Sequence, residues 1–155
     1  MPTFVSDFPR PPALVRVEEH VRVEALGIVV AECRSCFQVR ETFHPPTYYL
    51  PPESISEGVL VPATGGSFCE WKGVASYRDI VHGGRRLPRA AWTYLDPTPA
   101  FRELRGWVAF YAALMDACWV DGERALPQPG GFYGGWITSK VTGPFKGDPA
   151  HPELI

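Results

Sequence analysis

Long apolar runs are missing from this sequence, and so is any surplus of positive charge. The longest apolar stretch, "WVAFYAALMDACWV", is interrupted by polar groups and falls well short of the roughly 20 residues a bilayer-crossing helix needs. Lys and Arg number 15 against 17 Asp and Glu, a formal charge of −2. Nothing therefore draws the chain as a whole toward nucleic acid or anionic lipid, and neither is expected as a partner. The one basic cluster, Arg85, Arg86 and Arg89 after "HGG", reads as a solvated loop. The opening "MPTFVSDFPRPP" has no basic n-region and no apolar h-region, so it does not read as a secretory signal. The expected compartment is the cytoplasm, with reduced thiols. Catalytic signatures are absent too: there is no HExxH, GxSxG, paired DxD or EF-hand pattern. "QPGGFYGGW" is glycine-rich but lacks the Gly-Lys-Ser/Thr ending of a Walker loop.

Proline and glycine are abundant instead, at 17 and 15 of 155 residues, and they are spread almost everywhere. Long helices have little room between them. With 45% hydrophobic residues the chain is not disordered, and its length suits one domain with a real core. Residues 1–12 read as an extended arm, 13–126 as the body of the domain, and 127–155 as a Gly/Pro/aromatic segment wrapped on the same domain. Alternating Val15, Val17 and Val21, Val23 predict two strands, and "IVVAECRSCFQVRE" predicts one long strand. "AAWTYL" is a further strand, "HGGRRLPR" a loop, and "PAFRELRG" a short helix with Pro99 in its first turn and Gly106 past its end. Asp121-Gly122 predicts a hairpin between strands near 116–120 and from Glu123 on, with another strand near 107–113. The sum is a mainly β single domain, a curved or barrel-like sheet with one or two short helices.

The stretch "SFCEWKGVASY" concentrates the candidate chemistry. As a strand kinked at Gly73, it turns Cys69, Trp71, Gly73, Ala75 and Tyr77 to one face and Glu70, Lys72, Val74 and Ser76 to the other. Lys72 is then expected to point away from Cys69. On one reading Cys69 is a buried core thiol beside Trp71, and Glu70 and Lys72 form a surface ion pair. On the other, Cys69 sits in a pocket wall and reacts, with His44 as its base. Around "HPPTYYLPP", His44, Tyr48 and Tyr49 belong either to a proline-fixed, aromatically packed turn or to a pocket rim. Cys33 and Cys36 have CxxC spacing, but within one strand residues i and i+3 face opposite ways, and Cys69 and Cys118 are isolated. Neither a metal nor another cofactor is expected.

Five strings in order, "ETFHPPTYYLPPESI", "FCEWKGVASY", "AAWTYLDPTP", "GWVAFY" and "QPGGFYGGWIT…GPFKG", resemble the bacterial domain-of-unknown-function family 427 over residues 13–148. The resemblance implies a β-tent-like fold of two antiparallel sheets, similar to methionine sulfoxide reductase B and the thalidomide-binding domain of cereblon. Such relatives often hold zinc through two CxxC pairs; this chain has one such pair, so the metal does not carry over. A nucleotidyltransferase-like label is attached to the family, and no motif here supports that chemistry. If the faces bearing Trp71 and Tyr77 and bearing Trp92 and Tyr94 meet across the tent, they enclose an aromatic cavity suited to a small organic ligand. Tyr48, Tyr49, Trp71, Lys72, Trp92 and Tyr94 are then the expected binding residues. The alternatives are a thiol enzyme using Cys69 with His44, and a protein-interaction module using the aromatic segment Phe132 to Trp136.

Overall fold

The computed structural model describes residues 1–154. The strands, in chain order, are β1 (Thr3–Phe4), β2 (Ala13–Val17), β3 (Val21–Ala25), β4 (Ile28–Cys33), β5 (Cys36–Arg40), β6 (Thr47–Tyr49), β7 (Leu60–Cys69), β8 (Gly73–His82), β9 (Arg85–Tyr94), β10 (Val108–Phe110), β11 (Ala117–Val120), β12 (Glu123–Arg124), β13 (Leu126–Pro127), β14 (Trp136–Ile137) and β15 (Val141–Thr142). Helical structure among the described residues is confined to short 3-10 segments at Val5–Asp7, Pro52–Ser54, Pro99–Leu104 and Ala112–Leu114. None is long or apolar enough to cross a membrane.

The architecture is mainly β and antiparallel, as the sequence patterns and the family resemblance predict. Three principal sheets have the orders β10-β9-β8-β7, β12-β11-β3-β4 and β2-β5-β6, and two short ribbons pair β1 with β15 and β13 with β14. Leu50 and Val108 exchange both backbone hydrogen bonds, at 2.8 and 2.9 Å, and so join the β6 end of one sheet to the β10 edge of another. The result is a folded set of open sheets, not a barrel.

Several local expectations change. "IVVAECRSCFQVRE" is two strands, not one: the chain bends at Arg34, β4 stays with β3, and β5 crosses to β2. The opposite-face argument for Cys33 and Cys36 therefore does not hold. The two thiols come near enough across the bend to shift each other's titration. Likewise Cys69 to Gly73 is a hairpin, not a kinked strand. Cys69 pairs with Gly73, and Glu70, Trp71 and Lys72 form the turn between β7 and β8. Gly73 has a φ of 107°, a left-handed conformation that a side chain would strain. "HGGRRLPR" is no loop beyond Gly83-Gly84, because β9 already starts at Arg85 and carries Pro88 within it. The Asp121-Gly122 hairpin forms with φ of 49° and 81°, the two positive values a type I′ turn requires, and β12 pairs back on β11.

Two apolar clusters lie on opposite sides of β6. Alternation sends Tyr48 into a core with Val30, Leu50, Ile80 and Trp136, and Tyr49 into a second with Phe37, Trp92, Tyr94 and Phe101. The N-terminal arm is tied down rather than free: Val5 is fully buried and β1 pairs in parallel with β15. Trp136 anchors the C-terminal segment at 1% exposure, stacked 5.0 Å from Tyr48 and donating its indole N–H to the Phe110 carbonyl at 3.1 Å.

Candidate functional site

The second cluster is the floor of a cavity of about 550 Å³. Strands supply its lower walls: Tyr49 from β6, Ala75 and Tyr77 from β8, and Trp92 and Tyr94 from β9. The β7–β8 turn supplies Trp71 and Lys72 at one side, with Cys69 at its base. The third wall is the C-terminal segment, which brings Gln128, Phe132, Tyr133 and Lys146 over the opening. A second cavity of about 400 Å³ adjoins it behind Tyr77 and Tyr111 and extends to Arg89 and Leu114.

Seven of the eight residues expected at a site from sequence line this one space: His44, Tyr49, Cys69, Trp71, Lys72, Trp92 and Tyr94. Tyr48 does not. Its neighbour Tyr49 takes the cavity side of β6, so Tyr48 faces the other core and bonds Gln38 at 2.9 Å. Lys72 reaches the cavity because it sits in a turn, where strand alternation no longer decides its direction. Its ammonium stands 5.9 Å from the Tyr94 ring centroid and 5.9 Å from that of Phe101. Trp92 packs on Tyr111 with ring centroids 4.5 Å apart and on Tyr49 at 6.4 Å, while Trp71 remains half-buried on the rim.

The floor is polar at its tips. The Trp92 indole N–H donates to the Tyr49 hydroxyl at 3.3 Å, and the Tyr77 hydroxyl donates to Ser67 Oγ at 3.2 Å. Burial pushes the phenols of Tyr49, Tyr94 and Tyr111 above the ordinary tyrosine value, so they keep their protons at neutral pH. Burial acts the same way on Tyr77, but hydrogen bonds with Ser67, Tyr111 and Arg89 outweigh it and hold that phenol lower. The Arg89 guanidinium lies 4.2 Å from the Tyr77 ring centroid. His44 is held below the usual histidine value, first by burial and then by nearby Lys146, against the opposing charge of Glu41.

Sequence reasoning missed Tyr111, Gln128 and Lys146 as lining residues. Tyr111 follows β10 directly, and no periodicity marks its direction once the strand has ended. Gln128 and Lys146 come to the cavity through the way the last segment folds back. Gly134 shows how close that return is, since a Cβ there would overlap the Trp92 ring. Among the described residues, no three His, Cys, Asp or Glu side chains gather to hold a metal. Cys33 and Cys36 form a thiol pair without the two further donors a tetrahedral zinc site takes, so zinc does not fit.

A comparison with curated proteins gave no match. Residues 13–121, which carry the floor and the β7–β8 turn of the cavity, match the family model described as a domain of unknown function, DUF427, and the chain belongs to that family.

Proposed function

We propose that this protein binds a small organic ligand in the aromatic cavity between β6, β8, β9 and the C-terminal segment. One observation carries the reading: about 550 Å³ of space is lined by Tyr49, Trp71, Trp92 and Tyr94 together with a few converging polar groups. Small-molecule sites have this size and make-up. The thiol-enzyme alternative is less well supported. His44 lines the same space as Cys69, but its ring nitrogen Nδ1 is engaged by Gln128 at 3.0 Å. The interaction-module alternative has Phe132 in its favour, 66% exposed, but Trp136 of the same segment is buried. Four free cysteines, two of them in mutual contact, suit the reducing cytoplasm of a bacterial cell.

The test is a ligand screen read through the tryptophan indole N–H signals in two-dimensional NMR. Fused-ring compounds are expected to shift Trp71 and Trp92 while leaving Trp119 in place. A panel that moves no indole signal, or moves only Trp119, would overturn the reading.

A further inference from the structure

Two lysines point at the cavity without a carboxylate partner among the described residues, whereas the remaining lysine of the chain and several arginines are ion-paired. Lys140 contacts both Glu19 and Asp121, Arg22 meets Glu24 at 2.9 Å, and Arg86 meets Asp79 at 3.3 Å. Lys72 and Lys146 are half-buried, line the cavity, and have no carboxylate within ion-pair distance among the described residues. Their ammonium groups rest on ring faces instead, Lys72 against Tyr94 and Phe101, and Lys146 at 5.4 Å from the Tyr133 centroid. Fully buried lysines are almost always paired, and a half-buried one has already lost part of its water. A ring face holds an ammonium without neutralising it, so the charge stays available to a ligand.

Two carboxylates border the same space. Glu41 is engaged by Arg10 at 3.6 Å, and Glu70 stands at the exposed tip of the β7–β8 turn. Several of the remaining polar groups can donate a hydrogen bond. The phenols of buried Tyr94 and half-buried Tyr111 keep their protons, and the free ring nitrogen of neutral His44 carries one. A cation-bearing space with such donors between aromatic walls complements a flat molecule with acceptor oxygens.

Resting on the small-ligand reading above, we infer that the ligand is a planar ring compound carrying an anionic oxygen group, a carboxylate or a phosphate, with Lys72 and Lys146 as its counter-charges. The ring stacks among Trp71, Trp92 and Tyr94, and the anion faces the two ammonium groups.

The test uses one ring with four head groups: 2-naphthoate, 2-naphthyl phosphate, 2-naphthamide and 2-naphthylmethylammonium. Each is titrated calorimetrically into the wild-type chain, Lys72→Met and Lys146→Met, with folding of each variant checked by urea denaturation. Methionine keeps the apolar stem and removes the charge. At least one anion is expected to bind about tenfold or more tightly than the amide, with the ammonium weakest. Each variant is expected to lose most of that margin and to keep its affinity for the amide. Which anion binds more tightly distinguishes a carboxylate ligand from a phosphate ligand. Amide or ammonium binding equal to the anions overturns the charge inference and leaves the cavity reading standing. An anion preference that survives both substitutions also overturns it. No binding by any of the four compounds overturns the inference together with the reading beneath it.

Discussion

Gln128 donates a hydrogen bond from its side-chain nitrogen to Nδ1 of His44 at 3.0 Å, and the rest of the amide leaves it no other orientation. The same nitrogen donates to the Lys146 carbonyl at 2.9 Å, and the amide oxygen accepts the Gly135 backbone N–H at 3.2 Å. A backbone carbonyl can only accept and a backbone N–H can only donate, so the amide cannot be flipped. Nδ1 of His44 must then be the acceptor and Nε2 must carry the proton in the neutral ring. One buried glutamine thus ties β6's approach loop to the C-terminal segment and decides how the imidazole presents itself to the cavity.

The first prediction follows from that tautomer. The His44 ring is expected to be neutral at pH 7, protonated at Nε2, with a titration midpoint below 6.5, its value when unfolded. The stability contributed by the neutral ring is fully present above about pH 6.5 and is lost as the pH falls from there to the lower folded value. Nitrogen-15 shifts of the imidazole across pH 4–8 measure both tautomer and midpoint. A protonated Nδ1, or a midpoint above 6.5, contradicts the hydrogen-bond assignment.

Replacing Gln128 by leucine is the second prediction. It leaves the buried Gly135 N–H and the half-buried Lys146 carbonyl without their partner, and an unsatisfied buried group costs about 1–3 kcal/mol. Urea denaturation is expected to show a loss of at least about 1 kcal/mol, and limited proteolysis to cut sooner within residues 127–154. An unchanged midpoint and an unchanged cleavage pattern would mean that the glutamine does not hold the segment.

The third prediction concerns Gly134. It needs no unusual backbone angle; it is required because the chain passes directly over Trp92, where any Cβ would collide with the ring. Gly134→Ala must push either Trp92 or the segment outward, and forced overpacking of this kind costs about 1–3 kcal/mol. The expected signature is a loss of stability with a shifted Trp92 fluorescence or indole signal. A variant with wild-type stability and spectrum would show that the close approach is not maintained in solution.

Much of the fold was legible because some local patterns admit one solution. Asp121-Gly122 between apolar runs can hardly be anything but a tight hairpin, whereas the expectation that Tyr48 and Tyr49 share one site overlooked that adjacent strand residues face opposite ways, and only Tyr49 lines the cavity. Other patterns failed where a turn interrupts a run of strand-forming residues without a Gly-Pro signal before it. Arg34-Ser35 and Glu70-Trp71-Lys72 look like strand interior, yet the chain reverses or changes sheet there, because β5 and β8 find partners that only the folded chain supplies. Parity arguments cannot cross such a turn, which is why Lys72 and the Cys33–Cys36 pair end up differently placed from the sequence expectation. The cavity's third wall was beyond reach for another reason. Gln128 meets His44 across 84 residues of chain, and Lys146 reaches the same corner from further still. No local pattern encodes a contact of that range.

The Cys33–Cys36 contact gives the last prediction. The neighbouring Cys36 thiol holds Cys33 below the ordinary cysteine value, and the same contact, with burial, raises Cys36. Burial pushes Cys118 up to about 12. Only the thiolate reacts with an alkylating agent, and only where the agent can reach it. Cys33 is half-exposed, whereas Cys36 and Cys118 are buried. Iodoacetamide at pH 7.5, followed by peptide mass spectrometry, is therefore expected to modify Cys33 well before Cys36 or Cys118. Cys36→Ala removes the supporting donor and is expected to slow the modification of Cys33 several-fold. If Cys36 reacts before Cys33 in the folded protein, the bend at Arg34 is not as described. If Cys36→Ala leaves the labelling of Cys33 unchanged or speeds it, the thiol pair does not stabilise its thiolate.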